Sequence, residues 1–176
     1  TALAVEQEMK KRGFDADFRA TGQTGIFIAG SGVSIDAVVA DFISGAVEWL
    51  CPENSENHWD IVEGQGSLFN VSYAGVTLGL IHGSQPDALV VCHEAGRPHM
   101  RSMPHFPLID LPTCIDVNLQ AARLTNPNVR CVGAAINTSR LSEEEGRVFC
   151  DKISQEIGLP AVDPLRDGVA SLVDQI

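Results

Sequence analysis

Three short runs in this chain, within 59–63, 88–93 and 130–137, are almost continuously apolar, and helical patterns separate them. Strands of that kind are buried on both faces, which in an α/β protein means a mainly parallel sheet covered by helices on each side. Two of the runs lead straight into polar clusters. Trp59-Asp60-Ile61-Val62 precedes Glu63-Gly64-Gln65-Gly66-Ser67, and Ala88-Leu89-Val90-Val91-Cys92 precedes His93-Glu94-Ala95-Gly96-Arg97-Pro98-His99. Ligands of open α/β sheets bind outside the carboxyl ends of the strands. The pattern therefore predicts that all three strands are parallel members of one sheet and that the two clusters share a site.

The remaining elements fit the same class. Residues 1–12 form an amphipathic helix with Gly13 at its end, and 15–20 a short strand. Ile35, Val38, Val39, Phe42, Ile43, Ala46, Val47 and Leu50 follow the helical period, so 35–50 is read as one helix capped by Ser34. Helices are expected at 75–83, 115–124, 142–158 and from 167, with a short strand at 161–162. The helix at 142–158 opens on three glutamates, which suit the positive end of a helix dipole. The stretch 94–113, with Pro98, Pro104, Pro107 and Pro112, is read as structureless, and loops of that length are usually functional or disordered.

Composition narrows the function classes. A chain of 176 residues is read as a single domain, 1–176. Its net charge of −11 and lack of a basic stripe argue against nucleic acid and anionic membranes as partners. No apolar run reaches the length of a membrane span, and no signal-peptide pattern opens the chain. Cys51, Cys92, Cys114, Cys131 and Cys150 include no Cys-x-x-Cys pair and are read as reduced, in a cytoplasmic protein. Cys92 and Cys131 lie in apolar runs and are expected to be buried. Every strong apolar face is needed for the core, which leaves a homo-oligomer open but without a surface of its own.

Each cluster residue has a chemical reading beside a plain one. Glu63 ends an apolar strand, where a carboxylate holds Mg²⁺ directly or through water; the plain reading is an anion bound by the turn amides of Gly64 and Gly66. As an exposed carboxylate it is expected to tolerate replacement by Gln without effect on the fold. Gln65 and Ser67 face substrate or merely shape the turn. Thr21-Gly22-Gln23-Thr24-Gly25 is a polar loop able to offer backbone N–H groups to an anion, or an ordinary turn. His93 is a base or a metal ligand, Glu94 a second base, and Arg97 a bidentate partner for carboxylate or phosphate. His99 is a substrate contact or a solvated loop histidine. Asn137 is a ligand contact or a turn starter. His82 ends an apolar helix and is read as a cap.

Taken together, Ala20-Thr21-Gly22-Gln23-Thr24-Gly25, Val39-Ala40-Asp41-Phe42, Val62-Glu63-Gly64-Gln65-Gly66-Ser67-Leu68, Gly75-Val76-Thr77-Leu78-Gly79, Gln85-Pro86-Asp87-Ala88 and Cys92-His93-Glu94-Ala95-Gly96-Arg97 give the chain a family likeness over nearly its whole length. It resembles the C-terminal domain of a former domain-of-unknown-function family linked to bacterial D-glutamate N-acetyltransferase. The resemblance implies a three-layer αβα, P-loop NTPase-like fold, similar to dethiobiotin synthetase, in the C-terminal part of a longer two-domain protein. The phosphate loop would precede Thr1. By analogy with dethiobiotin synthetase, Glu63 would hold the metal side of the phosphates and Asn137 would contact a base.

The function implied is transfer of an acetyl group from acetyl-CoA to the amine of a small acidic amino acid such as D-glutamate. Arg97 would hold the substrate carboxylate, His93 or Glu94 would take a proton from the ammonium, and turn amides would stabilise the oxyanion. Thr21, Gly22, Gln23, Thr24 and Asn137 would meet the cofactor. The alternatives are an ATP- and Mg²⁺-dependent ligase or kinase, with Glu63 on the metal, and a nucleotide-binding module without chemistry.

Overall fold

A computed structural model describes residues 1–176. By its internal contacts the chain divides into two units, one of residues 2–86 and 121–127, the other of Thr1, 87–120 and 128–176.

In the first unit, α1 (Ala2–Lys11) buries Val5 and Met9 beside β1 (Asp15–Arg19) and β2 (His58–Val62). Its polar side carries Glu–Lys and Glu–Arg pairs one turn apart. Glu6 accepts the amide of Phe18 at 3.2 Å and so ties the helix to β1. β1 and β2 are parallel, from Asp15 opposite His58 to Arg19 opposite Val62. Parallel neighbours need a long crossover. Here it contains α2 (Gln23–Ala29), whose first residues belong to the segment 21–25 expected to be a loop, and α3 (Ile43–Leu50).

The single helix expected at 35–50 is broken. Two 3₁₀ turns, Ile35–Ala37 and Ala40–Phe42, precede α3. Between them Val38 and Val39 have ψ of 135°, a conformation that suits β-branched residues. Ser34 spends its hydroxyl on the Asp36 carboxylate instead of capping a helix. The break turns Val39 and Phe42 outward, and Trp49 of α3 is exposed as well, so this apolar surface is not all needed for the core. The core that does form joins Ile35, Ile43, Val47 and Leu80. α4 (Ala74–Ser84) lies against α3 through Gly79 and Gly83. A methyl at the first would strike the Ile43 side chain and at the second the Ser44 carbonyl, so only glycine permits this approach.

In the second unit, β3 (Ala88–Glu94) is followed by a short antiparallel hairpin, β4 (His99–Met100) and β5 (Met103–Pro107). The hairpin occupies the stretch read as structureless. Pro104 and Pro107 hid it, since proline is tolerated only where a strand has no inner neighbour to satisfy. Next come α5 (Leu111–Ala122), whose last two residues group with the first unit, and β6 (Arg130–Asn137). The unit closes with α6 (Glu143–Ile157), β7 (Ala161–Val162) and α7 (Ala170–Val173). Ser142 and Glu145 form a reciprocal capping box on α6.

The order β3-β6-β7 is parallel throughout. β6 is the inner strand, with Val132 and Ala134–Ile136 buried. Ala95, Leu111, Ala134, Ile136, Cys150, Ile153 and Ala161 make the core. The single ladder expected through strands 59–63, 88–93 and 130–137 is therefore not formed as such: β2 takes β1 as its partner, and β3 takes β6. All five cysteines are free, but Cys92 is exposed, not buried, and its thiol lies 3.7 Å from the Thr1 hydroxyl.

Candidate functional site

At the end of β2 the backbone ladder continues one residue further, with the Glu63 amide donating to Arg19 O at 3.0 Å. The side chain of Glu63 then turns onto the start of α2. Its Oε2 accepts the backbone N–H groups of Thr21 and Gly22, each at 3.0 Å. Thr21, fully buried, returns a hydroxyl hydrogen bond to Glu63 O at 2.8 Å. Gln65 Nε2 donates to Thr21 O at 2.9 Å and to its hydroxyl at 3.2 Å. A methyl at Gly25 would collide with the Glu63 carboxylate, which is why α2 carries glycine there.

The loop at 21–25 thus presents amides to an anion, as its sequence suggests, but the anion is the protein's own Glu63. The amides of Gly64 and Gly66 are not its partners. Glu63 Oε1 has no hydrogen bond within the chain, and Gln23 and Thr24 are exposed. Ser67 accepts the Phe69 amide at 3.2 Å and so shapes the turn. No three His, Cys, Asp or Glu side chains converge to hold a metal ion. A Mg²⁺ on Glu63 would complete its shell with water and phosphate oxygens, the usual habit of that ion.

The second strand end is richer in charge. Successive strand residues face opposite sides, and His93 and Glu94 differ accordingly. His93 stacks on Phe149 of α6 with ring centroids 6.2 Å apart and planes 3° from parallel. Burial, and after it the positive charge of Arg97, holds the imidazole below its ordinary pKa. His93 is therefore neutral at neutral pH, and no hydrogen bond occupies its ring within the chain.

Glu94 sits between two guanidiniums: Arg97 Nη2 on Oε2, and Arg140 Nε on Oε1 at 3.0 Å. Both carboxylate oxygens are taken, which favours His93 over Glu94 as a proton acceptor. Glu94 pairs in register with Asn137, and the Ala95 amide continues to Asn137 O. Asn137 is exposed and its Oδ1 accepts the Ser139 amide at 3.0 Å, leaving Nδ2 open. His99 Nδ1 lies 2.9 Å from Met100 O on the hairpin. In the first unit, His82 Nε2 lies 3.2 Å from Ala121 O rather than capping its own helix.

Two residues of this strand end escaped the sequence reading. Arg140 follows β6 by three residues, beyond Asn137, the end residue that the strand-end rule picks out. Asp163 follows β7 and is 4% exposed. Its Oδ2 accepts the Thr138 amide at 3.0 Å and the Thr138 hydroxyl, and Oδ1 accepts the Leu165 amide at 2.9 Å. Burial opposes its charge, yet these donors prevail and keep the carboxyl below the ordinary aspartate pKa. A two-residue strand gave too little pattern to draw attention to it.

A family model described as "Domain of unknown function (DUF1611_C) P-loop domain" matches residues 1–173. The chain is 57% identical over 173 residues to a protein of Pseudoalteromonas sp named D-glutamate N-acetyltransferase, covering 98% of this chain and 52% of that protein. A protein of the same name from Tritonibacter scottomollicae is 51% identical over 176 residues, covering 100% of this chain and 53% of that one. The crystal structure of a DUF1611 family protein from Anabaena variabilis ATCC 29413 matches with a TM-score of 0.92 at 38% identity, over 99% of this chain and 51% of the other. The chain spans about half the length of these relatives. The α/β class, with mainly parallel strands in the three-layer P-loop arrangement, agrees with the sequence reading. No helix is long and apolar enough to cross a membrane. On the family match and these identities, the chain belongs to the DUF1611 family and corresponds to its P-loop domain.

Proposed function

We propose that this chain takes part in transferring an acetyl group from acetyl-CoA to the amine of a small acidic amino acid, D-glutamate being the first candidate. The reading rests on the 57% and 51% identity, over essentially the whole chain, to proteins named for that activity. The end of β3 suits it chemically. The amino group must lose a proton before it can attack, and a neutral imidazole beside a guanidinium supplies both an acceptor and a partner for the substrate carboxylate. His93 is that acceptor and Arg97 that partner. Acetyl-CoA supplies the acyl group: the nitrogen–carbonyl bond forms, the carbon–sulfur bond breaks, and the coenzyme leaves as its thiol. At the other strand end, Gln23 and Thr24 are the exposed polar groups proposed for cofactor contact, because the amides of Thr21 and Gly22 are already engaged by Glu63.

The second reading, an ATP- and Mg²⁺-dependent ligase or kinase, is favoured by the P-loop family and by the open Oε1 of Glu63. One experiment separates the two. The chain is assayed alone and grafted in place of the matching half of the Pseudoalteromonas relative, with acetyl-CoA or ATP and a panel of D- and L-amino acids. Free thiol released in step with N-acetyl-D-glutamate supports acetyl transfer. ADP released only with an amino acid present supports the second reading. A graft that yields neither, while the unaltered relative is active, refutes both.

A further inference from the structure

Arg97 and Arg140 flank one carboxylate. They arrive from different places, Arg97 three residues past the end of β3 and Arg140 three residues past the end of β6, whose last residues pair as Glu94 opposite Asn137. Arg97 Nη2 donates a hydrogen bond to Glu94 Oε2, and Arg140 Nε forms an ion pair with Glu94 Oε1 at 3.0 Å. The rest of each planar fork is open, with both Nη groups of Arg140 unengaged within the chain. The side chains are 32% and 66% exposed, while that of Glu94 is only 14% exposed, so the carboxylate lies beneath two outward-facing cations.

The charge balance indicates what such a pair admits. The chain carries −11 overall, a field that opposes any anionic ligand. Glu94 neutralises one of the two guanidiniums and leaves a local excess of positive charge at a strand end. Contacts to opposite oxygens of one carboxylate, one a hydrogen bond and one an ion pair, place the two forks roughly 6–8 Å apart, comparable with the reach between the two carboxylates of a short diacid. Guanidinium binds carboxylate in a bidentate manner, and two fixed forks read two carboxylates.

We infer that Arg97 and Arg140, spaced by Glu94, form a dicarboxylate clamp in which Arg97 holds the α-carboxylate of the amino acid and Arg140 its side-chain carboxylate. This assigns Arg140 as the residue that distinguishes an acidic amino acid from its amide. It deepens the acetyl-transfer reading and rests on it for the name of the ligand, but the clamp is testable by binding alone.

The test is calorimetric titration of the full 176-residue chain with D-glutamate, D-glutamine and succinate, using wild type, Arg140→Gln, Arg140→Lys and Arg97→Lys, each checked for an unchanged melting transition. Arg140→Gln should weaken D-glutamate and succinate at least about tenfold, one charged contact being worth that much, and leave D-glutamine unchanged. Arg140→Lys should recover part of the loss. Arg97→Lys should weaken all three. Equal affinity of wild type and Arg140→Gln for D-glutamate, or a lowered melting temperature with unchanged affinity, would overturn the clamp and make the triplet a structural staple. The KM for D-glutamate in the grafted enzyme separates the two ideas. Transfer with an unchanged KM in Arg140→Gln removes the clamp and keeps the reaction. Diacid binding that needs Arg140 in a protein that transfers no acetyl group keeps the clamp and removes the reaction.

Discussion

Glu63 and Thr21 grip each other in both directions: the carboxylate accepts the Thr21 amide at 3.0 Å, and the Thr21 hydroxyl donates to Glu63 O at 2.8 Å. The strand end and the start of α2 are thereby one structural piece. Glu63 has a holding role in the fold whatever it does for a ligand.

The expectation that Glu63→Gln leaves the fold untouched is revised accordingly. Losing the charge on an acceptor of two amides should cost about 1–2 kcal/mol. Gly25→Ala should cost about 1–3 kcal/mol, because its methyl would enter the space of the same carboxylate. Urea denaturation checks both. The double variant should be less destabilised than the sum, since each change disturbs one contact.

Much of this arrangement was legible in the chain and some was not. The strand-end rule picked out Glu63, His93, Glu94 and Arg97 because each follows an apolar run long enough to read. Arg140 lies three residues beyond Asn137, the β6 end residue the same rule singles out, and Asp163 follows a strand of only two residues, too short to read. Periodicity failed at 35–50, where Val38 and Val39 keep the helical spacing of apolar residues while their backbone is extended. Apolar spacing records which residues are apolar, not whether a helix carries them inward, and Val39, Phe42 and Trp49 show the difference.

His58 gives a prediction for stability against pH. Its ring nitrogens lie 3.1 Å from Asp15 and from Asp60, with Asp17 at 4.0 Å. Arg19 also binds Asp60, and Lys10 of α1 lies 3.5 Å from Asp17. Burial opposes protonation, but Asp15 and Asp60 outweigh it and raise the pKa above the ordinary imidazole value. A raised folded pKa means stabilisation that is complete below the unfolded value, about 6.5, and lost as pH rises through the folded one. The stability difference between wild type and His58→Gln should therefore be full below about pH 6.5 and shrink steadily as pH rises from there through the raised folded pKa. A difference that grows with pH would contradict the pairing.

Asp163 should show the opposite sign. Its lowered pKa means stabilisation present above the unfolded aspartate value, about 3.9, and lost as pH falls through the folded one. Asp163→Asn should cost about 1.5–3 kcal/mol near neutrality, by weakening charged hydrogen bonds to the Thr138 amide and hydroxyl. Chemical denaturation at a series of acid pH values should find that penalty declining toward zero.

The most direct test of the account is the pH–rate profile of acetyl transfer in the grafted enzyme, with wild type and His93→Gln compared. Only neutral His93 accepts a proton, so activity should fall on the acid side through an apparent pKa below the ordinary imidazole value. His93→Gln should lower kcat by about 10²–10⁴, with the KM for D-glutamate little changed and that acid limb gone. A variant that keeps the wild-type rate and profile would show that His93 is not the base and that the chemistry lies elsewhere than at the end of β3.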